Sequence, residues 1–372
     1  MPLHATTPRR TPLTALLIAL LAGTAPAVAE TRTPDSTDEP AAGERSIVEP
    51  PWVIAHRGAS AYRPEHTLPA YGLAVRQRAD FIEPDLVPTS DGHLVARHEN
   101  ELSDTTDVAD RPEFADRETT KTIDGNEVTG WFSEDFTLEE IKTLRAVERI
   151  PDIRPGNTKY DGRYEVATFE EVLDLREKYL GKGIDVQVMP ELKHPGYFDS
   201  IGLDTEEMMA AALEERGLTG TGEDAPVFVQ SFEPASLREL NGLVEAPLVQ
   251  LISTDQRELT TPEGLDGIAA YAEAIGPDLS LVLPIGEDGL PAEPTPLVAD
   301  AHDRELLVTP WTLRSENAFL PDGYTKGDDP TRFGDYKSYY TAVLETGADG
   351  FFADSPDHLY KTRAKFLKER DK

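Results

Sequence analysis

Three stretches decide the fold: VIAHRGASAYRPEHT over Val53–Thr67, DFIEPDLV over Asp80–Val87, and HLVARHEN over His93–Asn100. The apolar run Trp52 to Ala55 ends in His56-Arg57-Gly58, the pattern of a buried strand handing polar residues to a loop. Thr67 to Arg78 places Leu68, Tyr71 and Val75 at helical spacing, with Thr67 as cap. Glu83 and Asp85 stand two apart in the next apolar run, so on a strand both carboxylates project from one face. That makes strand, helix, strand, a βαβ unit. A third run, Leu94 to Arg97, ends in His98. Successive strands that each finish in reactive side chains predict parallel strands with a site at their carboxyl ends.

His56-Arg57-Gly58-Ala59-Ser60, Pro64-Glu65-His66-Thr67, Glu83-x-Asp85, Thr89-x-Asp91-Gly92, His98 and Glu191-x-Lys193 together resemble the glycerophosphodiester phosphodiesterase family in order, spacing and residue type. The resemblance runs from about Trp52 to the chain end. It implies an α/β chain folded as a (β/α)8 TIM barrel. It also implies hydrolysis of glycerophosphodiesters, such as glycerophosphocholine or glycerophosphoethanolamine, to glycerol 3-phosphate and an alcohol. The chain departs from the family at Pro84, where an apolar residue or Gln is usual, and at Glu99, where the family has an Asp after the histidine.

The first 29 residues read as a signal peptide. Arg9 and Arg10 give the positive end, Leu13 to Ala22 the apolar middle, and Ala27-Val28-Ala29 a small-residue cleavage site. The apolar middle is too short for a membrane span, which needs about 20 residues. The expected location is therefore secreted or periplasmic, without stable membrane insertion. Residues 30–50, rich in Thr, Pro, Asp and Glu and without periodicity, read as a disordered linker, and the barrel domain as 51–372. There are no cysteines, so no disulfide staples an exported chain, and stability must come from core size and from metal. The formal charge of −33 opposes nucleic acid and anionic membranes. It also repels a phosphodiester, so the site must reverse the field locally with a cation and basic side chains.

Downstream, Glu99 to about Glu165 is polar and irregular, with Trp131-Phe132 and a capping box at Thr137-x-x-Glu140. This reads as an insertion of about 99–165 between strand 3 and strand 4, which in the family covers the barrel mouth and helps shape the alcohol pocket. Alternation then resumes with a helix at Thr168–Tyr179 and a strand at Ile184–Leu192. Further strand-like runs fall at Val227–Phe232, Pro247–Ile252, Leu279–Leu283, Glu305–Trp311 and Gly350–Asp354, separated by helical patterns such as Gly264–Ala274. Nine strand-like runs compete for eight barrel places, with Leu279–Leu283 the expected irregular one.

Glu83, Asp85 and Glu191 are the expected metal ligands. Clustered carboxylates repel unless a cation sits among them, and hard oxygen donors without cysteine favour Ca²⁺, with Mg²⁺ possible, over zinc. His56 and His98 are the expected acid–base pair, since imidazole titrates near neutral pH. Arg57 offers a fork and Lys193 a point charge to the substrate phosphate. Glu65 is expected to brace Arg57 or His56, Phe232 and Trp311 to pack near the glycerol moiety, and His66 and His194 to be structural. The substrate is a small molecule; the oligomeric state stays open. In the family the attacking group is the substrate's own glycerol hydroxyl, giving a cyclic phosphate; direct attack by water fits these residues equally. A lysophospholipase D on the same barrel would need an apolar groove that the insertion does not supply. A non-catalytic phosphodiester-binding protein would need a gap among the site residues. No G-x-S-x-G, H-E-x-x-H, H-x-K or Walker A motif occurs.

Overall fold

Alternating inward and outward side chains on short parallel strands build this chain. The computed structural model describes residues 48–370 and 372; the expected signal peptide and nearly all of the expected linker lie outside them. The strands are β1 (Trp52–His56), β2 (Phe81–Glu83), β3 (Asp85–Pro88), β4 (Leu94–Ala96), β5 (Thr119–Ile123), β6 (Asn126–Gly130), β7 (Gln187–Val188), β8 (Glu191–Leu192), β9 (Val229–Ser231), β10 (Leu248–Ile252), β11 (Ala274–Pro277), β12 (Leu307–Val308) and β13 (Gly350–Ala353). They pair in the orders β13-β1-β2-β7 and β12-β11-β10-β9-β8-β3-β4.

Two staves each contribute to both sheets. β2 and β3 are one stave interrupted at Pro84, and β7 and β8 are one stave interrupted at Met189-Pro190. Closure comes from Asp349 N donating to Val308 O at 2.8 Å and Phe352 N donating to Pro310 O at 3.2 Å. The result is a (β/α)8 barrel of parallel staves.

Three expectations need correction. Leu94–Ala96 is no barrel stave: β4 runs antiparallel to β3, with Leu86 opposite Ala96, as a hairpin turned at Thr89–Gly92. The short Thr-Ser-Asp-Gly turn, with Gly92 at φ +80°, leaves no room for the crossover helix that a parallel return demands. The insertion consequently lies between the second and third staves, not between strands 3 and 4. Leu279–Val282 is irregular as expected, a helical turn capped by Asp278, but the sixth stave is Ala274–Pro277, whose first residue the sequence pattern assigns to the end of the preceding helix and whose remainder it leaves out of any strand. The linker expectation also runs too far: Val48 is 4% exposed and packs with Trp52 and Phe81 at the barrel floor.

The caps explain where helices start. Thr67 accepts from Ala70 N, and Thr137 and Thr168 form capping boxes with Glu140 and Glu171. The helices cover the outward faces of the staves in one large core that includes Val53, Ala55, Tyr71 and Ile82. The barrel interior is filled from below by Trp52, Phe81 and Phe228, whose rings meet edge to face at 5.0–5.4 Å between centroids. The insertion has its own core, with Leu102, Val108, Phe114, Phe136, Ile141 and Leu144 packed on Val87, Val95 and Phe198. Among the described residues no helix is long and apolar enough to cross a membrane.

Candidate active site

The pleat that buries Trp52 and Ile54 inside the barrel brings His56, two positions on, to its mouth. Phe81 and Glu83 repeat the pattern on β2. Parallel register then sets His56 beside Glu83, Asp85 beside Glu191, and Glu191 beside Gln230. Proline cannot donate to a ladder, so the stave breaks at Pro84, yet Pro84 O still accepts from Glu191 N at 2.9 Å. Glu83 and Asp85 therefore stay on one side of the sheet. One oxygen from each, with one from Glu191, lies within 4.8 Å of the others, and all three residues are buried.

Every expected site residue except Glu65 lines one cavity of about 250 Å³ at the carboxyl ends of the staves. Glu65 stands behind, its Oε1 accepting from Arg57 Nη1 at 2.9 Å and its Oε2 from Arg149 Nε at 2.9 Å. Arg57 takes φ +60°, and Gly58 after it φ +83°. A Cβ on Gly58 would sit 2.8 Å from the Ala70 carbonyl carbon, so only glycine permits this turn. The turn aims Arg57 N at Glu83 Oε2 (2.6 Å) and brings Arg57 Nε to 3.3 Å from His56 Nε2 and 3.4 Å from Asp85 Oδ2. Phe232 and Trp311 meet edge to face at 5.7 Å, with Lys193 Nζ 5.6 Å from the Phe232 ring centre.

The two imidazoles flank the carboxylates. His56 Nδ1 lies 2.6 Å from Asp354 Oδ1, leaving Nε2 toward the cavity. His98 Nδ1 lies 2.6 Å from Glu99 Oε1, though off the ideal hydrogen-bond angle, and His98 Nε2 lies 3.2 Å from Lys193 Nζ. The glutamate thus comes within ion-pair distance of the imidazole without a well-aligned hydrogen bond. His98 arrives on the β4 hairpin and its following loop, not on a stave.

Several contributors escaped the sequence reading. Asp354 ends the last stave and also binds Arg154 Nη2 (2.5 Å) and Arg314 Nε (3.0 Å). Arg154 comes from the irregular insertion, which carries no pattern. His66, expected to be structural, is fully buried and places Nε2 2.8 Å from Asp85 Oδ2 and Nδ1 2.8 Å from Tyr71 OH. It fixes the aim of a proposed ligand, and only the His-Thr step beside the helix cap hinted at it. Gln230 Nε2 reaches Glu83 Oε1 at 3.3 Å.

With this geometry in hand, comparison with known proteins is decisive. Residues 56–358 match the model of the glycerophosphoryl diester phosphodiesterase family. The chain belongs to that family. A glycerophosphodiester phosphodiesterase of Arabidopsis thaliana is 36% identical over 83% of this chain and 85% of its own length. One from Bacillus subtilis is 34% identical over 87% and 90%. Among solved structures, a glycerophosphoryl diester phosphodiesterase from Silicibacter pomeroyi superposes with a TM-score of 0.61 at 21% identity, covering 87% of this chain and 97% of its own. A phosphodiesterase from Oleispira antarctica, solved in complex with the product sn-glycerol-3-phosphate, superposes with a TM-score of 0.56 at 20% identity over 84% and 96%. These two likenesses establish the fold.

In this member of the glycerophosphoryl diester phosphodiesterase family the acidic cluster suits a metal ion. Burial, with Asp85 and Glu191 nearby, pushes Glu83 well above the usual carboxylate range. Burial and the Asp85 charge push Glu191 up to about 8, against the opposing pull of Lys193. Glu191 Oε1 sits 2.9 Å from Lys193 Nζ but makes no well-angled hydrogen bond. Three buried oxygens that cannot all ionise alone, one of them without a good donor, fit a hard divalent cation. The histidines respond to the same surroundings. Burial and Arg57 lower His56 to about 4, against Asp354. Burial, Arg57 and Lys193 lower His98 to about 3, against Asp85 and Glu99. Both imidazoles are therefore neutral bases near pH 7, with burial the largest cause.

Proposed function

We propose that this protein hydrolyses glycerophosphodiesters to glycerol 3-phosphate and an alcohol, outside the cytoplasm, with one divalent cation held by Glu83, Asp85 and Glu191, Ca²⁺ being favoured. The observation that carries the reading is the placement of His56 and His98 on either side of that carboxylate cluster, with Arg57 and Lys193 facing the same cavity. The small cavity, and the lack of exposed large apolar residues on the insertion among the described residues, suit a small diester rather than a long acyl chain. The amino-terminal pattern supports export.

The bound cation would supply Lewis-acid stabilisation of the phosphate oxygens. Arg57 and Lys193 contribute fixed positive charge at the same place, where a low dielectric strengthens it. A bound phosphate would offset the Arg57 and Lys193 charges, the secondary cause of the lowered imidazole basicity after burial. His56, its Nδ1 proton held by Asp354, presents Nε2 to take a proton from the attacking hydroxyl or to return one to the leaving alcohol. His98, with Glu99 beside its Nδ1, does the complementary transfer. The activity for which the relatives are named and the product complex of the Oleispira enzyme support this substrate class.

The deciding assay couples glycerol 3-phosphate release to a dehydrogenase over a panel of glycerophosphodiesters, with and without chelator. Turnover on glycerophosphocholine or glycerophosphoethanolamine that falls with EDTA is expected. Preference for lysophosphatidylcholine, or no release from any diester, would refute the reading.

A further inference from the structure

The loop joining helix Pro195–Ser200 to helix Thr205–Arg216 gathers a second group of acids, separate from the cluster of Glu83, Asp85 and Glu191. Gly202, at φ +82°, turns the chain so that Gly202 N donates to Asp199 O and Leu203 N to Phe198 O, both at 3.0 Å. One oxygen from each of Asp199, Asp204 and Glu206 then lies within 4.8 Å of the others. Glu206 is only 1% exposed. Its Oε2 accepts from Thr205 Oγ1 at 2.9 Å, while its Oε1 is buried with no hydrogen-bond partner. A buried carboxylate oxygen left without a donor is costly. Among the described residues no lysine, arginine or histidine pairs with any of the three acids. Partial burial and the Glu206, Asp204 and Glu239 charges push Asp199 up to about 6. The loop thus concentrates negative charge that no cationic side chain among the described residues compensates.

We propose that Asp199, Asp204 and Glu206 form a second divalent-cation site, of the Ca²⁺ class. The donors are all oxygens, which excludes the soft and imidazole-preferring metals. Asp204 Oδ1 already accepts from Glu207 N at 2.8 Å as the helix cap, so its other oxygen serves the ion. Exposed Asp199 leaves room for water to complete the six to eight oxygens that Ca²⁺ takes. The site ties the end of one short helix to the start of the next. The first of these helices follows directly on Lys193 and His194, and its Phe198 is built into the insertion's core. A cation here stiffens the segment behind the phosphate-facing lysine without touching the reacting atoms. The proposal is independent of the catalytic reading.

Equilibrium dialysis of the full chain against radioactive Ca²⁺ tests it. Wild type should bind two equivalents, and Glu191→Gln, Glu206→Gln and Asp199→Asn one each, with the lost site weakened at least tenfold. In a Glu191→Gln background Ca²⁺ should still raise the melting temperature, and adding Asp199→Asn should abolish that rise. Asp199 is exposed, so its substitution keeps the fold even where Glu206→Gln does not. Ca²⁺ binding that is lowered by neither Asp199→Asn nor Glu206→Gln, or tighter binding of Mg²⁺ than Ca²⁺ at this site, overturns the proposal. A wild type that binds two equivalents yet turns over no diester would sink the catalytic reading alone.

Discussion

Asp354 Oδ1 and His56 Nδ1 meet at 2.6 Å although 298 positions separate them in the chain. The contact joins the last stave of the barrel to the first. Asp354 is held ionised, well below the usual carboxylate range: burial opposes this, and Arg154, Arg314 and His56 outweigh it. A buried carboxylate of this kind selects the Nδ1–H tautomer of His56 and stabilises the imidazolium that forms when Nε2 takes a proton. Asp354→Asn should therefore lower kcat by on the order of 10²-fold or more while KM changes little. The limb of the pH–rate profile assigned to His56 should move to lower pH. A variant with reduced melting temperature but an unshifted profile would reduce Asp354 to a structural ion-pair partner of Arg154 and Arg314.

Removing the proposed cation should expose the protonation behaviour of Glu83 and Glu191. Without it, Glu191 is pushed up to about 8 by burial, and Glu83 lies well above its ordinary value. At pH 7 the ion-free cluster consequently holds protons that the ion must expel. Affinity at this site should rise as pH increases from about 6 to 8. Titration calorimetry in buffers of differing ionisation enthalpy should show proton release on binding. Using Asp199→Asn as the background isolates this site. Affinity independent of pH over that window would mean that the three carboxylates are ionised already.

The half-barrel that carries the chemistry was legible in the sequence because its side chains obey one rule, alternation on buried strands. Trp52, Ile54 and His56 announce both the inward face and the mouth, and Glu191-x-Lys193 does the same on the third stave. The rule fails where backbone direction is at stake. Leu94–Ala96 has the composition of a stave, and only the tightness of the turn at Thr89–Gly92 reveals that it must run back antiparallel. Ala274–Pro277 fails for the opposite reason, being short and small: Ala, Gly and Pro carry no β signature. Asp354 and Arg154 were invisible because their meaning lies in a 200-residue separation that only closure of the barrel resolves.

Arg57 is a place where lysine should not substitute. Its Nη1 engages Glu65 at 2.9 Å while Nε approaches both His56 and Asp85, which uses the planar fork of the guanidinium in two directions. Arg57→Lys keeps the charge but cannot span these partners, and it leaves Glu65 with Arg149 alone. We expect kcat/KM to fall by about 10²–10³-fold, or roughly 3–4 kcal/mol of transition-state stabilisation. Steady-state kinetics on glycerophosphocholine decides it: a loss under fivefold would remove Arg57 from the phosphate site.

Glu148 predicts an unusual pH dependence of stability for an acidic protein. It is buried in the insertion, with Oε1 accepting from Ile150 N at 3.0 Å and Oε2 from Asn157 Nδ2 at 2.8 Å. Burial nonetheless pushes it up to about 7, because these neutral donors and Arg154 do not repay the lost hydration. The folded state therefore binds a proton more tightly than the unfolded chain, whose glutamate titrates near 4.3. Between about pH 4.5 and 7 the native state holds more protons than the unfolded one, so this group's contribution falls as pH rises. It is fully present below the unfolded value and gone above about 7, with a size of about 4 kcal/mol at most. Glu148→Gln should erase that component. Urea unfolding at pH 5 and pH 8 should show wild type losing more stability over the interval than the variant, the difference between them isolating Glu148 from all other carboxylates. Equal losses in the two proteins would mean that Glu148 is ionised in the folded state at pH 5 and is hydrated through the insertion's surface.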